Sequence, residues 1–311
     1  MKPKIVVLAG PTASGKTALS ISLAKRFPFE IVSADSMQIY RGMDVATAKP
    51  TPEEREGIPH YMLDIADPAL PFTVSDYVRG ALDAVKEIDS HGKVPLVVGG
   101  TGFYIKALLE GGDFGECTRD PSYREELAAF VREKGETALW EKLRDLDPAR
   151  ASGVHPHNVK RVMRALEVIR ETGKKASDHA FYAKEPRFDS LYLVLTFADR
   201  SVLRRRIEKR VDAMFASGLW EEAAAIASLG LPSDATSLQA IGYKELWTAG
   251  DPKEARDALV LRTAQYAKKQ TTWFRGVKNA VPLDAEKEFP LLLDEAGELI
   301  ASFLSASGDQ T

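Results

Sequence analysis

The segment with the clearest chemistry is a glycine-containing octapeptide near the N-terminus. It reads Gly10, Pro11, Thr12, Ala13, Ser14, Gly15, Lys16 and Thr17. This order matches G-x-x-x-x-G-K-[ST] in full, the pattern of a phosphate-binding loop. The glycines permit a turn whose backbone N–H groups point inward, and Lys16 adds a mobile positive charge. Thr17 can bind Mg²⁺, directly or through a water molecule. The segment therefore predicts a polyphosphate site without specifying the polyphosphate.

A second candidate is the carboxylate of Asp35, which follows a predicted strand at 30–34. Enzymes that transfer phosphate with such a loop usually carry an acid at a strand end to help to hold Mg²⁺. The strand at 94–98 ends instead in Gly-Gly-Thr, with Thr101 last. Asp35 could bind Mg²⁺ through water, or accept a proton from a substrate hydroxyl or amine. The alternative is a structural helix cap formed with Ser36.

These residues need an α/β scaffold to bring them together. Apolar stretches predict buried strands at 5–9, 94–98 and 191–197, and residues 30–34 read as a further strand. Helical patterns cover 16–27, 74–91 and 103–110, and only helices are expected after 197. Alternating strands and helices predict a P-loop core with a parallel sheet and helices on both faces. The carboxyl ends of its strands share one edge, so the octapeptide and Asp35 should meet at one crevice.

The pattern changes in the middle of the chain, where residues 115–188 read only as helices joined by polar segments. We expect a helical insertion domain there, within a catalytic core made of 1–114 and 189–311. The 311 residues carry a net charge of −3, which excludes a protein that is basic throughout but not local basic patches. Cys117 is the single cysteine, so an intramolecular disulfide and a C-x-x-C zinc site are excluded. The apolar run at 5–9 is too short to span a bilayer, so a cytoplasmic protein without membrane association is expected.

Several segments, taken in order, resemble the tRNA dimethylallyltransferases, also called tRNA isopentenyltransferases or IPP transferases. The octapeptide is the first of them. The others are SADSMQIYRGMD at 33–44, TAKP at 47–50, GGTGFY at 99–104, RVMRALE at 161–167, RIEKR at 206–210, AIGYKE at 240–245 and KKQTTWFR at 268–275. Their order and combination, rather than any one of them, indicate the family.

The resemblance implies transfer of a dimethylallyl group from dimethylallyl diphosphate to N6 of adenine 37, beside the tRNA anticodon. The octapeptide would bind the diphosphate of the donor, and Mg²⁺ near Thr17 would be the cofactor. Lys16 and Arg210 would stabilise the leaving group. Asp35 would take the proton of N6, and Thr101 would lie beside the base and the diphosphate. Other prenyltransferases use D-D-x-x-D to hold diphosphate, and this sequence lacks that motif.

Arg210 lies one helical turn from Arg206, so both side chains can face the same crevice. The alternative is a solvated basic face, because Arg204, Arg205 and Lys209 are close in sequence. Only the resemblance singles out Arg210 from this cluster.

The resemblance also assigns tRNA contacts to two regions. The first comprises Asp35, Ser36, Met37, Gln38 and Thr101. The second lies in the insertion and comprises Arg124, Lys160, Arg161, Val162, Met163 and Arg164. Lys160 and Arg164 share one face of an amphipathic helix, although such basic rims are often only solvated. The expected partners are a tRNA anticodon stem-loop and dimethylallyl diphosphate, bound by a monomer.

Three other interpretations compete with this one. The first is a P-loop kinase of nucleotides or small molecules, which would transfer phosphate from ATP. The second is a prenyltransferase that acts on free adenine nucleotides. The third is a non-catalytic, nucleotide-dependent RNA-binding module, whose function would survive Asp35→Ala.

Overall fold

The structure, a computed structural model, describes residues 2–111, 120–178 and 185–306. Contacts between residues divide the chain into two compact units. The first consists of Met1–Leu109 with Pro186–Thr311, and the second of Glu110–Glu185. The boundaries expected from the sequence were 115 and 188. Cys117 lies outside the described residues.

Six strands in the described part of the chain form one parallel sheet. They are β1 Lys4–Ala9, β2 Phe29–Ser33, β3 His60–Tyr61, β4 Val94–Gly99, β5 Asp189–Thr196 and β6 Val281–Asp284. Their spatial order is β3-β2-β4-β1-β5-β6, with β1 paired to β4 through Val6↔Leu96 and to β5 through Val6↔Leu191. The carboxyl ends of β1, β2 and β4 therefore lie side by side at one edge.

The helices of the described residues lie between these strands and after them. They are α1 Lys16–Arg26, α2 Pro52–Arg55, α3 Val74–Ser90, α4 Gly102–Glu110, α5 Pro121–Leu146, α6 Pro148–Ser152, α7 Val159–Thr172, α8 Arg200–Ala216, α9 Leu219–Ser228, α10 Tyr243–Thr248, α11 Pro252–Arg275 and α12 Phe289–Ser305. None of these described helices has the length and apolarity needed to cross a bilayer.

Both faces of the central strand are covered. Val6 and Leu8 pack with side chains of α1 and α12, whereas Ile5 and Val7 point the other way and are equally buried. The helix α3 contacts β2 and β4. This arrangement confirms the predicted α/β class with helices on both faces.

The expectation of helices alone after residue 197 was wrong, because β6 forms the edge of the sheet. Its Pro282 lacks an N–H group, which is tolerated only on an edge strand and hides the strand from a pattern search. The two-residue strand β3, at the other edge, is too short to leave a pattern.

The second unit is helical in its described residues. Its core contains Leu127 and Leu139 of α5 together with Val162 and Leu166 of α7. Gly135 interrupts α5 with φ 86° and ψ 167°, a backbone conformation that glycine adopts readily.

Candidate active site

The octapeptide forms the turn between β1 and α1. Gly10 has φ 149° and Gly15 has φ 94°, so both use backbone conformations that other residues rarely adopt. A Cβ on Gly10 would also lie 3.0 Å from Leu195 of β5. No side chain of the described residues caps the N-terminus of α1. Its first N–H groups and the positive end of the helix dipole are therefore available to an anion.

Lys16 folds back over this turn. Its Nζ donates hydrogen bonds to the carbonyl oxygens of Gly10, at 3.0 Å, and Pro11, at 2.7 Å. Burial lowers the pKa of Lys16 to about 7, and the positive charge of Arg210 acts in the same direction, while Asp35 opposes them. The amine is therefore poised to gain a proton when an anion enters the site.

Two arginines of α8 line the same cavity. Arg206 donates to the carbonyl oxygens of Ser14, at 3.2 Å, and Ala285, at 2.8 Å. Arg210 donates to the carbonyl oxygen of Thr47 at 3.3 Å. Burial lowers the pKa of Arg210, and Asp35 opposes this effect. The guanidinium groups of Arg206 and Arg210 thus bring positive charge close to the phosphate-binding loop.

The remaining basic residues of this cluster face away. Arg204 pairs with Glu208, and Arg205 donates to Ser201 at exposed positions. The sequence allowed either side chains that face the crevice or a solvated basic face. The structure contains both: Arg206 and Arg210 line the cavity, and Arg204 and Arg205 are exposed.

The two oxygens of Asp35 have different surroundings. Oδ1 accepts from the backbone N–H groups of Met37, at 2.9 Å, and Gln38, at 3.4 Å. This is the capping geometry that the alternative interpretation expected, although it closes a turn and not a helix. No described residue donates to Oδ2, and Asp35 lines the cavity. One carboxyl group can therefore fix the turn and still accept a proton.

Close packing at the end of β4 explains why no acidic side chain follows this strand. A Cβ on Gly99 would lie 2.2 Å from the carbonyl oxygen of Ala34, and one on Gly102 would lie 2.0 Å from Nε1 of Trp273. The strand ends are packed too closely for side chains here. Thr101 is the exception, and its Oγ1 accepts from the N–H of Ser36 at 3.0 Å.

Sequence reasoning missed the roles of two residues on one face of α11. Gln270 is buried, and its Oε1 accepts from the N–H of Thr12 at 2.8 Å while its Nε2 donates to Gly100 at 3.0 Å. Tyr266 lies one turn earlier and lines the cavity. Burial raises the pKa of Tyr266 to about 12, with a further contribution from Asp35. Both residues belong to or adjoin the segment 268–275, but nothing in their type distinguishes them from residues on an exposed helix.

One cavity of about 830 Å³ within the first unit is lined by residues 12–17 of the octapeptide and by Asp35, Gly100, Arg206, Arg210, Tyr266 and Gln270. Thr101 follows Gly100 but is not among the lining residues. One end is cationic, formed by the octapeptide, Arg206 and Arg210. The apolar residues Ala46, Met214, Ala240 and Ile241 also line the cavity. Asp35, Ser36, Met37 and Gln38 line the cavity from the end of β2. A ligand with an anionic head and a short apolar group is chemically matched to this cavity.

The candidate RNA-binding residues of the insertion lie in the second unit. Lys160 and Arg161 are exposed at the start of α7. The buried Glu167 pairs with Arg124 at 3.6 Å and with Arg164 at 3.4 Å. It therefore brings together two of the arginines that are predicted to contact tRNA.

The predicted contacts of Val162 and Met163 need a correction. Their side chains are 0% and 7% exposed and belong to the core of the helical unit. Only their backbone groups, near the N-terminus of α7, remain as candidates for contact with RNA.

Comparisons with known proteins place the chain among a well-defined set of enzymes. A family model described as IPP transferase matches residues 38–277, and one described as isopentenyl transferase matches residues 3–69. The tRNA dimethylallyltransferase of Halalkalibacterium halodurans is 43% identical over 310 residues, which cover 98% of each chain. That of Geobacillus kaustophilus is 46% identical over 280 residues, which cover 88% of each chain.

Solved structures give the same picture. The full-length tRNA isopentenylpyrophosphate transferase of Bacillus halodurans is 40% identical and superimposes with a TM-score of 0.73 over 98% of each chain. A eukaryotic dimethylallyltransferase acting on tRNA is 29% identical, with a TM-score of 0.81 over 98% of this chain and 80% of that one.

Proposed function

Because the chain belongs to the IPP transferase family, we propose that it transfers a dimethylallyl group from dimethylallyl diphosphate to N6 of adenine 37 in tRNA. Family membership supports tRNA prenylation directly and disfavours the kinase alternative. The observation that carries the detailed proposal is the single cavity in which the phosphate-binding loop, Asp35 and an apolar wall meet.

The cationic end of the cavity is suited to the departing diphosphate. As the C1–O bond of the donor breaks, C1 gains positive character and both electrons of the bond leave with the diphosphate. We assign the stabilisation of this charge to Lys16, Arg210 and the N–H groups at the start of α1. Arg206 adds a second guanidinium beside the loop.

The other side of the reaction is assigned to Asp35. N6 of adenine forms the new bond to C1 and loses one proton, which Oδ2 of Asp35 accepts. An aromatic amine is a weak nucleophile, so its alignment with C1 contributes strongly to the rate. Thr101 and Ser36 would contact the same base. Since adenine 37 lies in a loop, it can leave its stack and enter the cavity.

We propose Mg²⁺ as the cofactor, held by the hydroxyl of Thr17 and by oxygens of the diphosphate. Thr17 is exposed on the cavity wall. The described residues contain no cluster of three or more His, Cys, Asp or Glu that could hold a metal by themselves. A single hydroxyl ligand fits Mg²⁺, which commonly binds few protein groups together with substrate phosphates. The ion would supply further charge neutralisation for the leaving group.

We assign the helical unit to tRNA binding. Arg124, Arg164, Lys160 and Arg161 place positive charge on it, and single positive charges of this kind bind phosphate. The residues proposed for catalysis all come from one chain, so a monomer is sufficient. Since tRNA is the acceptor, we propose a cytoplasmic location.

The choice of acceptor is tested by mass spectrometry. The protein is incubated with Mg²⁺, dimethylallyl diphosphate and either an anticodon stem-loop or free AMP. We expect the stem-loop to gain one prenyl unit and AMP to react far more slowly. Equal reaction of AMP would favour the alternative that free adenine nucleotides are the substrate.

A further inference from the structure

A carboxylate outside the cavity holds one of its loops in place. Glu222, in the first turn of α9, accepts hydrogen bonds from three consecutive backbone N–H groups. The donors are Asp44 at 2.6 Å, Val45 at 2.7 Å and Ala46 at 2.8 Å. Charge-assisted bonds of this kind are stronger than those between neutral groups, and three together fix the backbone of 44–46.

Two further contacts stabilise this arrangement. The hydroxyl of Tyr243 donates to Glu222 at 2.9 Å, and Tyr243 is fully buried. Burial, reinforced by Glu222, raises the pKa of Tyr243, so the phenol keeps its proton. At the other end of the loop, the buried Lys49 donates to the carbonyl oxygen of Tyr40 at 2.7 Å and pairs with Asp44 at 2.5 Å. The loop is therefore anchored at both ends.

Thr47, the residue that follows 44–46, lines the cavity. The carbonyl oxygen of Thr47 accepts from Nη2 of Arg210 at 3.3 Å and from Nε2 of Gln38 at 3.2 Å. Glu222 thus holds the three N–H groups that immediately precede Thr47, the residue that presents this carbonyl to both side chains. One side chain belongs to the proposed diphosphate site and the other to the proposed adenine site.

We propose that Glu222 is a positioning residue for prenyl transfer. It acts through the loop 44–47 and the carbonyl of Thr47, and it sets the places of Arg210 and Gln38. This inference rests on the proposed function, because it requires Arg210 to bind diphosphate.

The test begins with Glu222→Gln, which keeps the shape of the side chain but loses the charge and at least one acceptor. We expect binding of inorganic diphosphate, measured by calorimetry, to weaken by about tenfold, within the range that small misplacements cause. The value of kcat/KM for dimethylallyl diphosphate should fall at least as much. The matched control is Glu221→Gln, an exposed neighbour on the same helical turn, which should bind diphosphate as the wild type does.

A double-mutant cycle with Arg210→Lys separates positioning from a general loss of structure. If Glu222 acts through Arg210, then Glu222→Gln should weaken diphosphate binding much less in the Arg210→Lys background. An equal loss in both backgrounds, or no loss in the wild-type background, would overturn the proposal. Tyr243→Phe removes one bond to Glu222 and should give a smaller loss with the same dependence on Arg210, so it decides the matter if Glu222→Gln does not fold.

The role of Glu222 and the transfer of the prenyl group are tested by separate measurements. The binding measurements use diphosphate alone and need neither a prenyl donor nor RNA. A wild-type protein that leaves RNA unmodified would contradict the proposed function, whereas the cycle would still report whether Glu222 positions Arg210.

Discussion

At the scale of single residues, Asp35 combines a structural task and a proposed chemical task in one carboxyl group. Oδ1 caps the turn of 35–38, no described residue donates to Oδ2, and Asp35 lines the cavity. The sequence presented capping and catalysis as alternatives. They are compatible because a carboxylate has two oxygens with separate lone pairs.

The substitution Asp35→Asn separates these tasks. The amide oxygen still accepts from the N–H of Met37, but the side chain no longer takes a proton. We expect kcat for prenyl transfer to fall by about 10²–10⁴-fold. The matched control is Asp67→Asn, because Asp67 caps an exposed turn through the N–H of Ala69. Full activity of Asp35→Asn would contradict the role as proton acceptor.

Lys16 should couple diphosphate binding to proton uptake. Its pKa of about 7 in the free protein means that the amine is mostly neutral at pH 8. A bound diphosphate favours the charged form and raises this pKa, so binding takes up a proton above pH 7 and becomes weaker as the pH rises. Calorimetry in buffers of different ionisation enthalpy measures this uptake.

The variant Lys16→Arg supplies the reference for that experiment, because arginine stays protonated and the titration of diphosphate itself cancels in the comparison. We expect the wild type to take up more protons than the variant at pH 8, by up to about one per site. Equal uptake by the two proteins would show that Lys16 is already charged in the free protein.

At the scale of elements, Gly99, Gly100 and Gly102 let the ends of β2 and β4 and the helix α11 approach one another. A Cβ on Gly100 would lie 2.2 Å from Nε2 of Gln270, the side chain that also binds the N–H of Thr12. The phosphate-binding loop is therefore tied to the end of β4 through α11.

Gly100→Ala should destabilise the protein by about 1–3 kcal/mol, as overpacking of this kind does. The Gln270→Ala variant removes the side chain that the added methyl group would clash with. In that background Gly100→Ala should therefore lower the free energy of unfolding by less. Denaturant unfolding of the four proteins measures the difference. Gly153→Ala is the control, since its Cβ would meet nothing nearer than 3.7 Å. Additive costs would mean that Gly100 and Gln270 do not interact as described.

The same elements show what the sequence could predict. The buried strands β1, β4 and β5 carry runs of apolar residues and β2 carries Ile31 and Val32, and the octapeptide has a fixed pattern. Both were therefore found. The edge strand β6 and the roles of Gln270, Tyr266 and Glu222 were not, because these depend on contacts between residues that are far apart in sequence. The burial of Val162 was readable from the helical period, but the family motif outweighed it.

At the scale of the whole molecule, the chain consists of a P-loop unit that contains the cavity and a helical unit with basic side chains. This division separates the proposed tasks: the first unit binds diphosphate, and the second contributes to RNA affinity. Variants of the second unit should therefore leave the binding of diphosphate unchanged.

Replacement of Arg124 and Arg164 together by glutamine tests the assignment of the helical unit. We expect weaker binding of tRNA and a shallower dependence on salt, by about 0.7–0.9 in the log–log slope for each phosphate that is no longer neutralised. Binding of diphosphate should stay unchanged. The control is Arg132→Gln, which removes an exposed ion pair on α5, the helix that also carries Arg124. An unchanged salt slope in the double variant would remove these arginines from the RNA-binding surface.

We propose that the phosphate-binding loop holds a prenyl donor whose diphosphate leaves as adenine 37 is modified. The most direct test is a single-turnover reaction of the wild type with Mg²⁺, dimethylallyl diphosphate and an anticodon stem-loop, in which modified RNA and free diphosphate are quantified together. We expect one diphosphate to appear for each prenyl group found on N6 of adenine 37, and we expect no prenylated RNA when ATP replaces the donor. Unmodified RNA accompanied by hydrolysis of ATP would contradict it.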